Sequence, residues 1–313
     1  MTSPRPQRLR GVLAPVVTPF RDTLAPNVDT FVAHCRWLVG NGCGLAIFGT
    51  NSEANSLSVG ERIALTDALL EAGVPASAMM PGTGASALPD TVQLTRHAVQ
   101  AGAAGALMLP PFFYKNVSDE GLFAYYSEVI ERVGDARLAL YLYHIPALSG
   151  VPITLNLIER LFKRYPGALA GVKDSSGDWS NTQAMIDAFG RDGLDIFPAS
   201  EALLSRALPI GGAGCISATA NVNPANIAQL CERWNTPDGP ALQDKASTVR
   251  SLFQALPMIP AMKHALAHWH DDAAWRTVRP PLTALDDAAG RQLIAQLQAA
   301  RFDMPGLRDA RHA

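Results

Sequence analysis

The chain is sparing with charge and cysteine and has no long apolar run, and each scarcity removes a class of protein. Only 17% of its 313 residues are charged, and 26 basic against 28 acidic side chains leave a formal net charge of -2. Lysines are few and dispersed, so nothing resembles the basic stripe that tracks a nucleic-acid backbone. Cys35, Cys43, Cys215 and Cys231 form no CxxC pair, which argues for buried thiols rather than a zinc site or a disulfide framework. No segment reaches the ~18 apolar residues of a membrane span. The opening MTSPRPQRLRGVLAPVV is basic and then apolar, but Pro15 and Pro19 interrupt the apolar part and no small-residue cleavage site follows, so it does not read as a signal peptide. A soluble cytoplasmic protein with neither nucleic-acid nor membrane partners is expected.

What is present is a repeating rhythm of a short apolar run, a polar turn and a segment of helical period. Apolar runs near 11–17, 44–48, 77–81, 105–109, 137–143, 168–172, 194–197 and 213–217 read as parallel strands covered on both faces. Between them, Ser58 with Glu61 three residues on predicts a capped helix over 58–72 closed by Gly73. A second helix is predicted over 90–101, and Asn223-Pro224 reads as an N-cap with proline at the first helical position. Phe31, Cys35 and Leu38 share one face of the helix after Asp29. Eight strands alternating with helices predict a (β/α)8 TIM barrel over 1–235. Residues 236–313 carry helical periodicity without strand signal and read as a C-terminal helical extension packed on that barrel.

A barrel keeps its chemistry at the C-terminal ends of its strands. The polar residues there are Gly49-Thr50-Asn51-Ser52-Glu53, Tyr143-His144, Lys173-Asp174 and Ser200-Glu201. Lys173 follows ALAGV, at the mouth of an apolar barrel, where poor solvation favours the neutral amine that attacks a carbonyl. By position alone the preferred reading is a lysine paired with Asp174 or with an acid on a neighbouring strand, because structural pairs outnumber catalytic lysines. Tyr143 either carries protons or donates a structural hydrogen bond. The Thr50–Ser52 turn either offers backbone N–H groups to a carboxylate or serves as plain turn chemistry. Glu53 is assigned no catalytic role. His264, His268 and His270 include an i, i+4 pair with no acidic ligand beside it, so no metal is expected. Gly82-Thr83-Gly84 and Gly211-Gly212-Ala213-Gly214 lack the GxGxxG spacing and read as turn glycines.

Taken in order, GVLAPVVTPF, GTNSEANSLSVGER, AGAAGALMLPPFFY, YLYHIPALSG, GVKDSSGD, GGAGCISATANV and VRPPL resemble the dihydrodipicolinate synthase / N-acetylneuraminate lyase family over nearly the whole chain. The resemblance implies a (β/α)8 barrel with a C-terminal helical region, a homotetramer built as a dimer of dimers, and no cofactor. It implies that pyruvate or another 2-oxo acid is held as an imine on Lys173 and that Tyr143 relays protons. Thr50 would bond the Tyr143 hydroxyl, and the Thr50, Asn51, Ser52 turn would hold the carboxylate. A backbone carbonyl of the site falls at Ile216. The family's second tyrosine, often supplied across a subunit contact, falls at Tyr114 or Phe113, and Tyr114 is preferred because only it has a hydroxyl.

Three departures shape the expectation for substrate. Leu148 stands where the synthase branch carries the arginine that binds a second carboxylate, and an apolar side chain cannot do that. Asn51-Ser52 replaces the usual Thr-Gly, adding a side chain beside the carboxylate site. His144 replaces the usual asparagine after the tyrosine, as a packing exchange or as a titrating group at the pocket edge, the former being preferred. The expectation is a Schiff-base, pyruvate-dependent aldolase or lyase acting on a 2-oxo acid. Alternatives are a dehydratase or deaminase of a 2-oxo-3-deoxy acid, a 4-hydroxy-tetrahydrodipicolinate synthase, and a 2-oxo acid binding protein without catalysis.

Overall fold

The computed structural model describes residues 8–309. In chain order the elements begin with β1 (Gly11–Ala14), α1 (Val28–Gly40), β2 (Gly44–Leu45), α2 (Val59–Glu71) and α3 (Leu88–Gln100). Next come β3 (Ala106–Met108), α4 (Asp119–Val133), β4 (Leu140–His144), the short α5 (Pro146–Ser149), α6 (Leu155–Arg164) and β5 (Leu169–Asp174). The rest are α7 (Trp179–Phe189), β6 (Asp195–Pro198), α8 (Leu204–Ala207), β7 (Gly214–Ile216), α9 (Pro224–Arg233), α10 (Gly239–Gln254), α11 (Met258–His270) and α12 (Asp287–Ala299). They form two compact units, one of residues 75–216 with the described residues up to Arg10, the other of 11–74 and 217–309.

In the first unit, β3, β4, β5 and β6 pair side by side in parallel. Strand alternation sorts their side chains into two sets. Leu140, Leu142, Val172 and Ile196 join one apolar cluster with Leu122, Val129, Leu157 and Ile186 of the covering helices. Each such fully buried side chain contributes about 1.5–3 kcal/mol. The alternate positions hold Tyr141, Gly171 and Asp195 in one lateral row and Tyr143, Lys173 and Phe197 in the next. Glycine is required at two places beside Tyr141, because a β-carbon on Gly105 or Gly171 would come within 3 Å of its ring. Below the second row, the buried Asp195 carboxylate accepts from the Tyr141 hydroxyl at 3.1 Å and from Arg10 at 2.9 Å, with Arg8 at 3.3 Å.

One predicted strand takes a different form. Ala76–Ala78 turns as a 3-10 helix, and Met79–Thr83 then runs along β3 through a single bridge, Gly82 to Leu107. Its ladder bonds are present: Ala104 N–H donates to Met79 O, Leu107 N–H to Pro81 O, and Thr83 N–H to Leu107 O, at 2.9–3.0 Å. Pro81 has no N–H to extend the ladder. Seven strands, rather than eight, are therefore regular among the described residues.

In the second unit, β1 and β2 pair in parallel, Leu13 opposite Gly44. Ser58 and Glu61 form the predicted reciprocal cap of α2, at 3.1 and 2.8 Å. Asn223 does precede α9, but its side-chain oxygen accepts from Asn226 Nδ2 at 2.6 Å instead of capping the backbone. The described residues beyond 236 carry α10, α11 and α12 and no strand. The histidines of α11 pack: His270 stacks on Trp275 at 5.3 Å, and Gly290 leaves room for the His264 ring. His34 of α1 meets the same Trp275 edge-on at 5.2 Å, and burial first, then His270, pushes its pKa down to about 3. No helix of the described residues is long and apolar enough to cross a membrane, and no three His, Cys, Asp or Glu side chains among them are grouped to hold a metal.

Candidate active site

Tyr143 and Lys173 are direct partners in the β4–β5 ladder. Both side chains stand in the row that faces away from the helix-covered cluster. Lys173 is 2% exposed, and its Nζ lies 4.2 Å from the centroid of the Tyr143 ring. The salt-bridge reading of Lys173 finds no support here. Asp174 points to the other face, where it accepts from Ser176 N–H at 2.9 Å and from the Thr182 hydroxyl at 2.5 Å. Among the described residues no carboxylate lies within ion-pair distance of the Lys173 amine. A buried amine clear of carboxylates is chemically suited to attack a carbonyl.

His144 lies opposite Asp174, in the set alternate to Tyr143 and Lys173. Its Nδ1 accepts the Ile153 N–H at 2.9 Å, so the neutral ring carries its proton on Nε2. Burial lowers its pKa, against the opposing pull of Asp174. Its place is beneath the 145–153 loop, which it ties to β4. That loop contains α5, where Leu148 is 66% exposed. Phe113 and Tyr114 are 72% and 71% exposed and meet edge to face at 5.4 Å. Lys115 latches their loop to α5 by donating to Ser149 O at 2.7 Å, and it also bonds Phe112 O. The loop of Tyr114 and the helix of Leu148 are thus brought together. Ile216, the last residue of β7, is buried.

In the second unit, Thr50–Ser52 forms a single 3-10 turn after Gly49. The Ser52 hydroxyl is spent inside it, accepting Gly49 N–H at 3.2 Å, and Ser52 N–H donates to Gly49 O at 3.1 Å. Thr50 and Asn51 are half-buried, whereas Ser52 is fully buried. The groups of the turn presented outward are therefore those of Thr50 and Asn51. Glu53 closes the turn in the left-handed region, at φ 56° and ψ 36°. Its buried carboxylate binds Lys263 Nζ and accepts Arg279 N–H at 2.9 Å. Lys263 was not singled out in the sequence. Its signal is a lysine embedded in MIPAMKHALA, on a helix whose apolar faces leave a cation nowhere to go without a buried acid.

The family model for the dihydrodipicolinate synthetase family matches residues 8–300. The chain belongs to that family. An uncharacterized DapA-like lyase of Chloroflexus aurantiacus is 34% identical over 93% of this chain and 95% of its own length. The 4-hydroxy-tetrahydrodipicolinate synthase of Rhizobium meliloti is 30% identical over 93% and 98%. Among solved structures, the dihydrodipicolinate synthase of Agrobacterium tumefaciens superposes with a TM-score of 0.85 at 32% identity, covering 93% of this chain and 99% of that one. A prophage protein of the family from E. coli K12, solved in complex with pyruvate, gives 0.85 at 26% identity, covering 94% and 99%. The fold is the (β/α)8 barrel of these enzymes with added C-terminal helices. Members of the dihydrodipicolinate synthetase family are carbon–carbon lyases of the class I aldolase type, and this chain is a Schiff-base, pyruvate-dependent aldolase or lyase.

Proposed function

We propose that Lys173 is the imine-forming residue and that this enzyme cleaves or forms the C3–C4 bond of a 2-oxo acid whose second half carries no carboxylate for an arginine to hold. The observation that carries the reading is the buried Lys173 amine beside the Tyr143 ring, with no carboxylate partner among the described residues. Attack of the amine on the keto carbon and loss of water give an imine. As the C4 hydroxyl gives up its proton and the C4 fragment leaves as an aldehyde, the imine nitrogen accepts the electron pair of the breaking C3–C4 bond as an enamine. Protonation at C3 and hydrolysis release pyruvate and restore the amine. Tyr143 carries the protons of these steps, with Thr50 in the same relay, and Asn51 with the Thr50–Ser52 turn takes the substrate carboxylate. Ile216 offers its carbonyl. No cofactor is needed, because the imine is itself the electron sink.

Leu148 supports a partner other than aspartate semialdehyde, since an exposed leucine supplies no charge for a second carboxylate. The adjoining exposed Phe113 and Tyr114 support a homo-oligomer, a tetramer as a dimer of dimers, in which Tyr114 meets a second copy. His144 acts by packing, and the enzyme works in the cytoplasm. The deciding experiment is borohydride reduction with pyruvate, read by intact mass, followed by a pyruvate-release screen over 2-oxo-3-deoxy acids. An adduct together with release from one such acid is expected. An adduct that survives Lys173→Ala would overturn the assignment. Pyruvate binding with every aldol and elimination assay at background would favour a non-catalytic 2-oxo acid binding protein, and loss of water or ammonia without C–C cleavage would favour a dehydratase or deaminase.

A further inference from the structure

Glu53 stands between two 3-10 turns, Thr50–Ser52 before it and Ala54–Ser56 after it, in a backbone conformation that a long side chain rarely adopts. Its N–H closes the first turn on Thr50 O at 3.1 Å. Its carboxylate is held at both oxygens, by Lys263 Nζ of α11 and by the Arg279 amide. Lys263 also donates to Thr277 O at 2.8 Å and sits 4.5 Å over the Phe20 ring. Burial lowers its pKa to about 8, against the attraction of Glu53, so the pair occupies a strongly desolvated place. The neighbouring carbonyls are also captured. The Thr18 hydroxyl donates to Ser52 O at 2.8 Å, Arg62 Nε to Ala54 O at 3.1 Å and the Arg279 guanidinium to Ser56 O at 2.6 Å.

A buried ion pair is a poor way to stabilise a fold, because desolvating both charges offsets much of their attraction. What this pair does provide is geometry: it fixes the residue that ends the turn presenting Thr50 and Asn51. We propose that Glu53, clamped by Lys263 and the Arg279 amide, is the positioning residue of the carboxylate-binding turn, so that α11 sets the affinity of the enzyme for its 2-oxo acid. This rests on the reading of the Thr50–Ser52 turn given above.

The test is the pyruvate concentration that half-saturates borohydride trapping on the full chain, measured beside the melting temperature. Glu53→Gln and Lys263→Met each leave a buried group without its partner. Both are expected to lower the melting temperature and to raise the half-saturating pyruvate about tenfold, the effect of one lost hydrogen bond to a charged group. The double variant Glu53→Gln/Lys263→Met removes both charges and is expected to recover the melting temperature but not the affinity. Leu297→Ala, a cavity in α12, is expected to lower the melting temperature with unchanged half-saturation. If the single variants fail to fold, Glu53→Asp, which keeps the charge and shortens the reach, is expected to fold and to weaken pyruvate in the same direction. Affinity that follows the melting temperature through the whole series, the double variant and Leu297→Ala included, would overturn the proposal, as would a Glu53→Asp enzyme with unaltered affinity. A wild-type chain that gives no adduct at all would overturn the reading beneath it, and the proposal with it.

Discussion

Lys173 carries its amine 4.2 Å from the centre of the Tyr143 ring, and the two residues are exact cross-strand partners in a parallel ladder. The pair is therefore set by the strand register rather than by loops.

The chain has five lysines, two of them buried, at 173 and 263. Borohydride reduction with pyruvate should label the peptide containing Lys173 and leave Lys263 unmodified, because Lys263 is fully enclosed and bound to Glu53. Lys173→Ala should abolish both adduct and turnover. Peptide mapping after proteolysis reads the result directly, and label on Lys263 would contradict it.

Tyr143→Phe retains the ring against the amine and removes only the hydroxyl. Imine formation should slow and turnover should fall by roughly 10²–10⁴-fold, the span of general acid–base contributions. Stopped-flow or rapid-quench trapping separates the two steps. Unchanged turnover would remove Tyr143 from the proton path.

Leu148 is exposed on a four-residue helix, so Leu148→Arg should shift stability by no more than about 0.5 kcal/mol. Wild type should show negligible condensation of pyruvate with aspartate semialdehyde, and the variant should show more. A wild-type enzyme that condenses them efficiently would refute the inference from Leu148.

His34 is buried neutral, its pKa pushed down to about 3, first by burial and then by His270. The unfolded chain binds a proton there below about 6.5 while the native chain does not. Its contribution to stability is thus intact above that value and declines as pH falls towards about 3, by at most about 1.4 kcal/mol per pH unit. His144, also held neutral, adds in the same direction. Urea unfolding between pH 7 and 4 should show this slope, and His34→Phe should flatten it. An unchanged slope would place the acid sensitivity elsewhere.

Much of this was legible in the sequence, for particular reasons. Tyr143 and Lys173 could be placed because each ends an uninterrupted apolar run, and only a residue at such an end can stand at a strand terminus. The run near 77–81 was harder: its ladder bonds exist, but Pro81 and the turn at Ala76 keep it from regular strand geometry. The face occupied by His144 follows from alternation once Lys173 is assigned, yet the Ile153 amide that holds its ring is nine residues away in a loop. The role of Lys263 is not legible locally because it depends on Glu53, 210 positions earlier. Local pattern shows which residues are buried, but it does not reveal a partner that distant.

The latch between Lys115 and Ser149 has an evolutionary corollary. Tyr114 and Leu148 sit on short exposed segments that rest on each other, whereas Tyr143 and Lys173 are locked into the sheet. On the assignment proposed above, with the imine on Lys173 and the acceptor facing Leu148, a lineage can trade one acceptor molecule for another by drifting at the rim while the amine stays in place. That assignment makes divergence of substrate at constant chemistry the easier path for this architecture.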